Sequence, residues 1–153
     1  MSYIQRVLQP GENLLYVTKL HWLVYGRAMA LAVIAAAFVA LAFDFGGDYQ
    51  YPGLMIAAVF LLLALIAFIH AAIKRASTEL AVTDHRVIFK RGLIGRYTIE
   101  MARSKVESVD VMQGLMGRIF NYGTILVRGT GGTLEPFRDI ENPLQLRSAI
   151  TAL

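Results

Sequence analysis

Cysteine is absent from the chain, which removes disulfide staples, thiolate nucleophiles and thiolate metal sites at once and fits a reducing compartment. Histidine occurs only at positions 21, 70 and 85. These lie in different regions, and no pair has helical metal-ligand spacing with a carboxylate nearby. A phosphate-cradling loop is missing too, because Gly129 to Gly132 lacks a Gly-Lys-Ser/Thr ending and a following helix. Catalysis has no set of groups to run on, so the chain is expected not to be an enzyme and to need no cofactor or metal. Charge is the other scarcity. Residues 54–73 hold no Asp, Glu, Lys or Arg, and Ala28 to Phe43 is uninterruptedly apolar.

What fills those stretches sets the architecture. Hydrophobic residues make up 56% of the chain and mean hydropathy is +0.53, too apolar for an ordinary soluble domain of this length. At about 1.5 Å per helical residue, the run Leu54 to Ile73 spans the roughly 30 Å of bilayer hydrocarbon. The run Leu23 to Phe45 contains Arg27 near its start, with Trp22 and Tyr25 where interfacial aromatics sit. Between the runs, Asp44 to Gly53 is a short acidic, aromatic, Gly-rich connector, with Pro52-Gly53 expected to open the second helix. The reading is a transmembrane hairpin. Arg6, Lys19 and Arg27 on one flank and Lys74 and Arg75 on the other, with no basic residue in the connector, place both termini in the cytoplasm. A cleaved signal peptide competes, since Ala40-Leu41-Ala42 has the small-x-small pattern. More than twenty residues before the apolar run, and a second run at hairpin distance, favour an uncleaved hairpin.

Inside the hairpin, Ala28, Ala32, Ala36 and Ala40 recur every four residues, and Ala57, Ala64, Ala67 and Ala71 offer small residues on the second helix. Small side chains allow close helix packing. Arg27 and His70 are the intramembrane polar pair, expected at one depth and facing each other as a structural anchor near the cytoplasmic boundary.

The remaining 77 or so residues alternate as strands punctuated by turns. Strands are predicted over Thr78 to Val82, Val87 to Phe89, Tyr97 to Met101, Lys105 to Gln113, Thr124 to Arg128 and Thr133 to Phe137, the last two joined by the Gly129 to Gly132 turn. Asn142 is expected to cap a last helix with Pro143 in its first turn and an apolar stripe of Leu146, Ile150 and Leu153. So small a unit is near the limit of independent stability, and burial is expected from the hairpin, the N-terminal segment or a neighbouring subunit.

The motifs Thr83-Asp84-His85-Arg86-Val87, Glu100-Met101, Lys105-Val106-Glu107-Ser108-Val109, Gly117-Arg118-Ile119, Tyr122-Gly123-Thr124, Thr130-Gly131-Gly132 and Ile140-Glu141-Asn142-Pro143 resemble the signature of bacterial PH-domain (pleckstrin homology, type 2) membrane proteins. Pro10-Gly11-Glu12 and His21-Trp22 ahead of two spans fit as well. The resemblance implies an α+β membrane protein, with a two-helix transmembrane hairpin followed by a PH-like partly open antiparallel β-barrel and a C-terminal helix. It also implies multi-pass residence in a bacterial inner membrane. Residues 1–21 are then an N-terminal cytoplasmic segment with a possible extra strand, 22–75 the hairpin and 76–153 the PH-like domain. The family's fold does not itself specify an activity.

Candidate surfaces follow from the residues. Met112, Leu115, Met116, Ile119 and Phe120 form an apolar cluster that either closes the barrel end or docks a partner or the bilayer. Lys90, Arg91, Arg96, Arg103 and Lys105 form a candidate anionic-lipid face. Arg86, Arg118 and Asp139 are read as internal braces ahead of ligand capture. Ten Lys or Arg stand against eight Asp or Glu over residues 77–153, only a mild surplus, and no basic and aromatic interleaving suggests nucleic acid. The expected partners are membrane lipids and either further copies of the chain or another protein. The expected role is a membrane-anchored scaffold for protein contacts or self-assembly; the alternative is a small oligomeric transporter or channel component built from hairpins.

Overall fold

The computed structural model describes residues 4, 7–92, 95, 97–130 and 134–152. Contacts divide the chain into two compact units, Trp22–Ile73 and Met1–His21 with Lys74–Leu153.

In the first unit a 3-10 turn at Trp22–Tyr25 runs into α1 (Gly26–Phe45), and a second at Gly47–Tyr49 leads into α2 (Gln50–Ser77). Both helices are long and apolar enough to cross a membrane. The connector is tighter than the sequence suggested. Gly46 and Gly47 take φ of 58° and 53° to reverse the chain, and α2 already starts at Gln50, so Pro52 lies within its first turn. Gly53 serves the helix crossing instead of opening the helix: a Cβ there would stand 2.8 Å from the Ala42 Cβ.

The seam between the helices corrects the expected small-residue stripe. Ala28, Ala35 and Ala42 are buried on α1, with Ala57, Ala64 and Ala71 on α2, while Ala32, Ala36 and Ala40 are exposed. The reason is helical geometry. A step of four residues overshoots one turn by about 40°, whereas a step of seven drifts only about 20° over two turns. A heptad-spaced row therefore stays in contact between the two helices, and a four-spaced row winds out to the exposed side. Stacked rings fasten the seam, Tyr25 on Phe68 at 5.1 Å and Phe38 on Phe60 at 5.7 Å between centroids.

The second unit has two antiparallel sheets. One runs in the order β1 (Leu14–Lys19), β2 (Glu79–Thr83), β3 (Arg86–Arg91), β4 (Tyr97–Ala102); the other β5 (Val106–Met112), β6 (Tyr122–Gly129), β7 (Leu134–Glu141). A short helix, α3 (Leu115–Ile119), joins β5 to β6, and α4 (Pro143–Thr151) follows β7. Among the described residues the sheets are joined by an isolated bridge between Leu20 and Ile140, and they do not close into a barrel. Facing side chains fill the space between them, with Leu80, Val82 and Phe89 on one side and Ile125, Val127 and Phe137 on the other. The Phe89 and Phe137 rings are 4.3 Å apart. Leu146 and Ile150 of α4 are buried, as its apolar stripe requires; Leu153, Gly131, Gly132 and Thr133 lie outside the described residues. Asn142 precedes α4 but does not cap it through its side chain. It sits in the left-handed region, φ 50°, its N–H donates to the Asn121 carbonyl at 3.0 Å, and its side-chain oxygen accepts from the Asn121 amide.

β1 belongs to the first sheet although it precedes both apolar helices. Its residues pair with β2 down to Lys19 opposite Glu79, so residues 20–78 are inserted between two neighbouring strands. The N-terminal segment also supplies burial that a short C-terminal unit lacks. On β2 and β3 both faces are buried, with Ala81, Thr83 and Ile88 on the side away from Phe137. Residues 7–13 lie on that side, held by the bonds described next.

Candidate functional site

The turn Thr83 to Arg86 is the receptor for the N-terminal segment. Arg86 donates through Nε and Nη2 to the two oxygens of Glu12 at 2.9 and 2.8 Å, through Nη1 to Glu100 at 2.6 Å, and through Nη2 to the Val7 carbonyl at 3.0 Å. The Thr83 hydroxyl donates to Glu12 at 2.7 Å. Asn13 and Asp84 exchange backbone and side-chain bonds, the Asn13 N–H reaching Asp84 Oδ1 at 3.1 Å and the Asp84 N–H reaching the Asn13 carbonyl at 3.1 Å. The hydrogen bonds from Arg86 are the largest cause holding the Glu12 carboxyl at about 2 instead of 4.5, against the opposing effect of burial. Asp84 is lowered as well, first by its bond to His85. Two motifs more than seventy positions apart thus form one network, and Arg86 is spent on it as an internal brace.

The apolar cluster stands at the other sheet. Gly117 and Gly123 let α3 fold back against β6: a Cβ on Gly117 would be 2.6 Å from the Tyr122 carbonyl oxygen, and one on Gly123 would be 2.9 Å from that of Met112. Gln113, which sequence reasoning passed over, donates its side-chain amide to the carbonyls of Gly117 and Tyr122 at 3.2 and 3.1 Å. Anchored so, α3 turns its apolar side chains outward. Leu115 is 80% exposed, Ile119 71%, Met112 61%, Met116 59% and Phe120 42%. They do not close the end of the sheets. Among the described residues these five form an exposed apolar group on and beside α3.

A family model described as bacterial PH domain matches residues 24–153. The chain belongs to the bacterial PH domain family. The match begins in the 3-10 turn ahead of α1 and so leaves out β1 and Glu12, which the fold nevertheless builds into the sheet. Searches of curated proteins and of solved structures give no match.

In this bacterial PH-domain chain the expected basic face is not one face. Lys90 and Arg91 end β3, whereas Arg103 and Lys105 lie past the far end of β4, a strand of six residues, on the order of 20 Å away. Arg103 is engaged by the C-terminus of α4, its Nε donating to the Ile150 carbonyl at 3.3 Å and its Nη2 to that of Ala152, which satisfies carbonyls a helix end leaves unpaired. Arg96 lies outside the described residues, as does Arg6 of the orientation argument. Arg118 is exposed beside Arg147 on the rim of a cleft near α3. Asp139 pairs with Lys74 at 3.7 Å.

Arg27 and His70 are both exposed and no hydrogen bond joins them; each neighbours a seam alanine, which turns it off the interhelical side. Among the described residues no group of three or more His, Asp or Glu side chains is placed to hold a metal ion.

Proposed function

We propose that the protein is a membrane-anchored scaffold: the hairpin crosses the bilayer, and a PH-like partly open barrel presents α3 to a second copy of the chain. The observation that carries this reading is the outward apolar patch of Met112, Leu115, Met116, Ile119 and Phe120. Insertion of the hairpin between β1 and β2 supports the membrane part. Because β1 must pair with β2, both ends of the insertion lie on one side of a membrane, which permits two spans and forbids one. Copies anchored in one bilayer hold α3 at the same height, so a two-fold axis along the membrane normal can bring identical patches together. The lipid-facing stripe Ala32, Ala36, Ala40 suits the same assembly, since small residues allow hairpins to approach closely. A transport role finds less support, because the seam is lined by alanine. Nothing in the proposal needs catalysis.

The lack of native cysteine allows a clean test in native membranes. Leu115→Cys, Met116→Cys and Ile119→Cys, made singly, are expected to give a disulfide-linked dimer on mild oxidation, and the exposed strand position Asp110→Cys is not. Dimer formation no greater than at Asp110→Cys at all three positions ends the self-assembly reading. Protection of an Ile119→Cys-attached dye by lipid-borne quenchers, without crosslinking, would make the bilayer the occupant. A second prediction concerns the seam: Ala64→Leu should force the helices apart and lower the melting temperature of the hairpin, whereas Ala36→Leu should leave it within error. Equal effects from the two would contradict the heptad packing.

A further inference from the structure

The chain enters and leaves its apolar helices at one end of the strand unit, and a cavity opens there. The His21 N–H donates to the Asp139 carbonyl at 2.7 Å, the His21 ring stacks on Tyr122 at 5.2 Å, and Arg75 Nε donates to the Leu20 carbonyl at 3.0 Å. The cavity beside these contacts has a volume of about 410 Å³, with Phe89 and Phe137 in its lining and Lys74, Arg91, Arg138 and Asp139 as its charged groups. This is the size of a small-ligand pocket.

Its charged groups are placed by a break in β7. Gly123 pairs with Ile140 and Ile125 with Phe137, so Arg138 and Asp139 together oppose Thr124, a bulge of two residues against one. Asp139 takes the left-handed conformation, φ 60°, unusual for a residue with a side chain. Bulges of this kind re-aim side chains next to binding sites. Three cations then meet one carboxylate. Among the described residues Arg91 and Arg138 form no ion pair, and the Lys74–Asp139 contact is long and half-exposed, so it contributes little and opens easily.

We propose that this cavity binds a phosphate group, carried by the headgroup of an anionic phospholipid. Guanidinium groups offer paired donors that match phosphate oxygens, and the lining aromatics can take the less polar glycerol portion. Lys74 directly follows Ile73, the last residue of the apolar run, so the abundant phosphate at that height is the membrane's own. Among the described basic residues expected to face lipid, only Arg91 lines this site. The choice of a lipid source rests on the hairpin crossing the bilayer; the phosphate chemistry does not.

The test uses the full chain in detergent, with native mass spectrometry of bound phosphatidylglycerol, phosphatidylcholine of the same acyl chains, and inorganic phosphate. Phosphatidylglycerol is expected to be retained over phosphatidylcholine, and Arg91→Gln with Arg138→Gln to weaken that retention by about thirty-fold, the loss of two cations at an anionic surface. Lys74→Gln alone should weaken it about five-fold, and Arg128→Gln, at the β6 end, should not. Unchanged retention in the double variant, with its circular dichroism intact, overturns the site. Inorganic phosphate binding as tightly as the lipid overturns the lipid assignment. Extraction of the chain from membranes by alkaline carbonate reads the hairpin separately, whatever the binding result.

Discussion

Arg86→Ala should cost about 3–5 kcal/mol of folding stability, the penalty for leaving a nearly buried carboxylate without its partner. The Glu12 side chain is only 3% exposed, and its charge is matched by the Arg86 fork. Removing the fork also frees the Val7 carbonyl and loosens residues 7–13 from the outer face of β2 and β3. Hydrogen exchange on the full chain should therefore show β2 and β3 amides losing protection while the hairpin keeps its own. Adding Glu12→Gln to Arg86→Ala should return part of the loss, because no charge is then buried alone. A single-variant cost under about 1 kcal/mol would mean that the network is not what holds the N-terminal segment.

The same pair sets an acid limit. A carboxyl with a folded-state value of about 2 and an ordinary value of 4.5 binds its proton more readily unfolded than folded. Its contribution, on the order of 3 kcal/mol, is complete above about pH 4.5, declines as pH falls, and is gone once pH passes through about 2. Melting temperature of wild type should fall across that window more steeply than that of the Glu12→Gln variant.

Gly117→Ala is the second large effect. The new methyl would lie 2.6 Å from a backbone carbonyl oxygen, which cannot swing aside as a side-chain tip can, so α3 must shift off β6. Overpacking of this kind costs about 1–3 kcal/mol. Gly123→Val meets the Met112 carbonyl, Gln113 and Pro143 together and should cost at least as much. Gln113→Ala leaves two carbonyls without their donor, for about 1–2 kcal/mol. All three should weaken Leu115→Cys crosslinking beyond their effect on global stability, since the patch loses its mount. Unchanged crosslinking in Gly117→Ala would show that α3 does not need this seat.

Local pattern was legible wherever a single segment carried it. Two apolar stretches gave two helices, period-two alternation gave the strands from residue 79 onward, and Leu146 with Ile150 marked the buried side of α4. The five-residue α3 was missed, because a helix that short has too few residues to show a period. The exposed apolar patch was legible as composition, Met112 to Phe120, yet whether those side chains pointed in or out depended on Gly117, Gly123 and Gln113 meeting Tyr122. The basic set failed as a surface for a related reason. Residues near in sequence were carried to opposite ends of β4 by the strand between them.

By itself the sequence determined the apolar helices, the strand-rich remainder, the lack of thiol chemistry and the family, because each depends on residue type and short-range spacing. Tertiary structure alone decided that β1 joins a sheet across an insertion of two helices, that alanines seven apart form the seam, and that Arg86 answers to Glu12. It also assembled Lys74, Arg91 and Arg138 around one cavity. These are pairings between distant positions, and a linear pattern carries no distance between residues that only folding brings together.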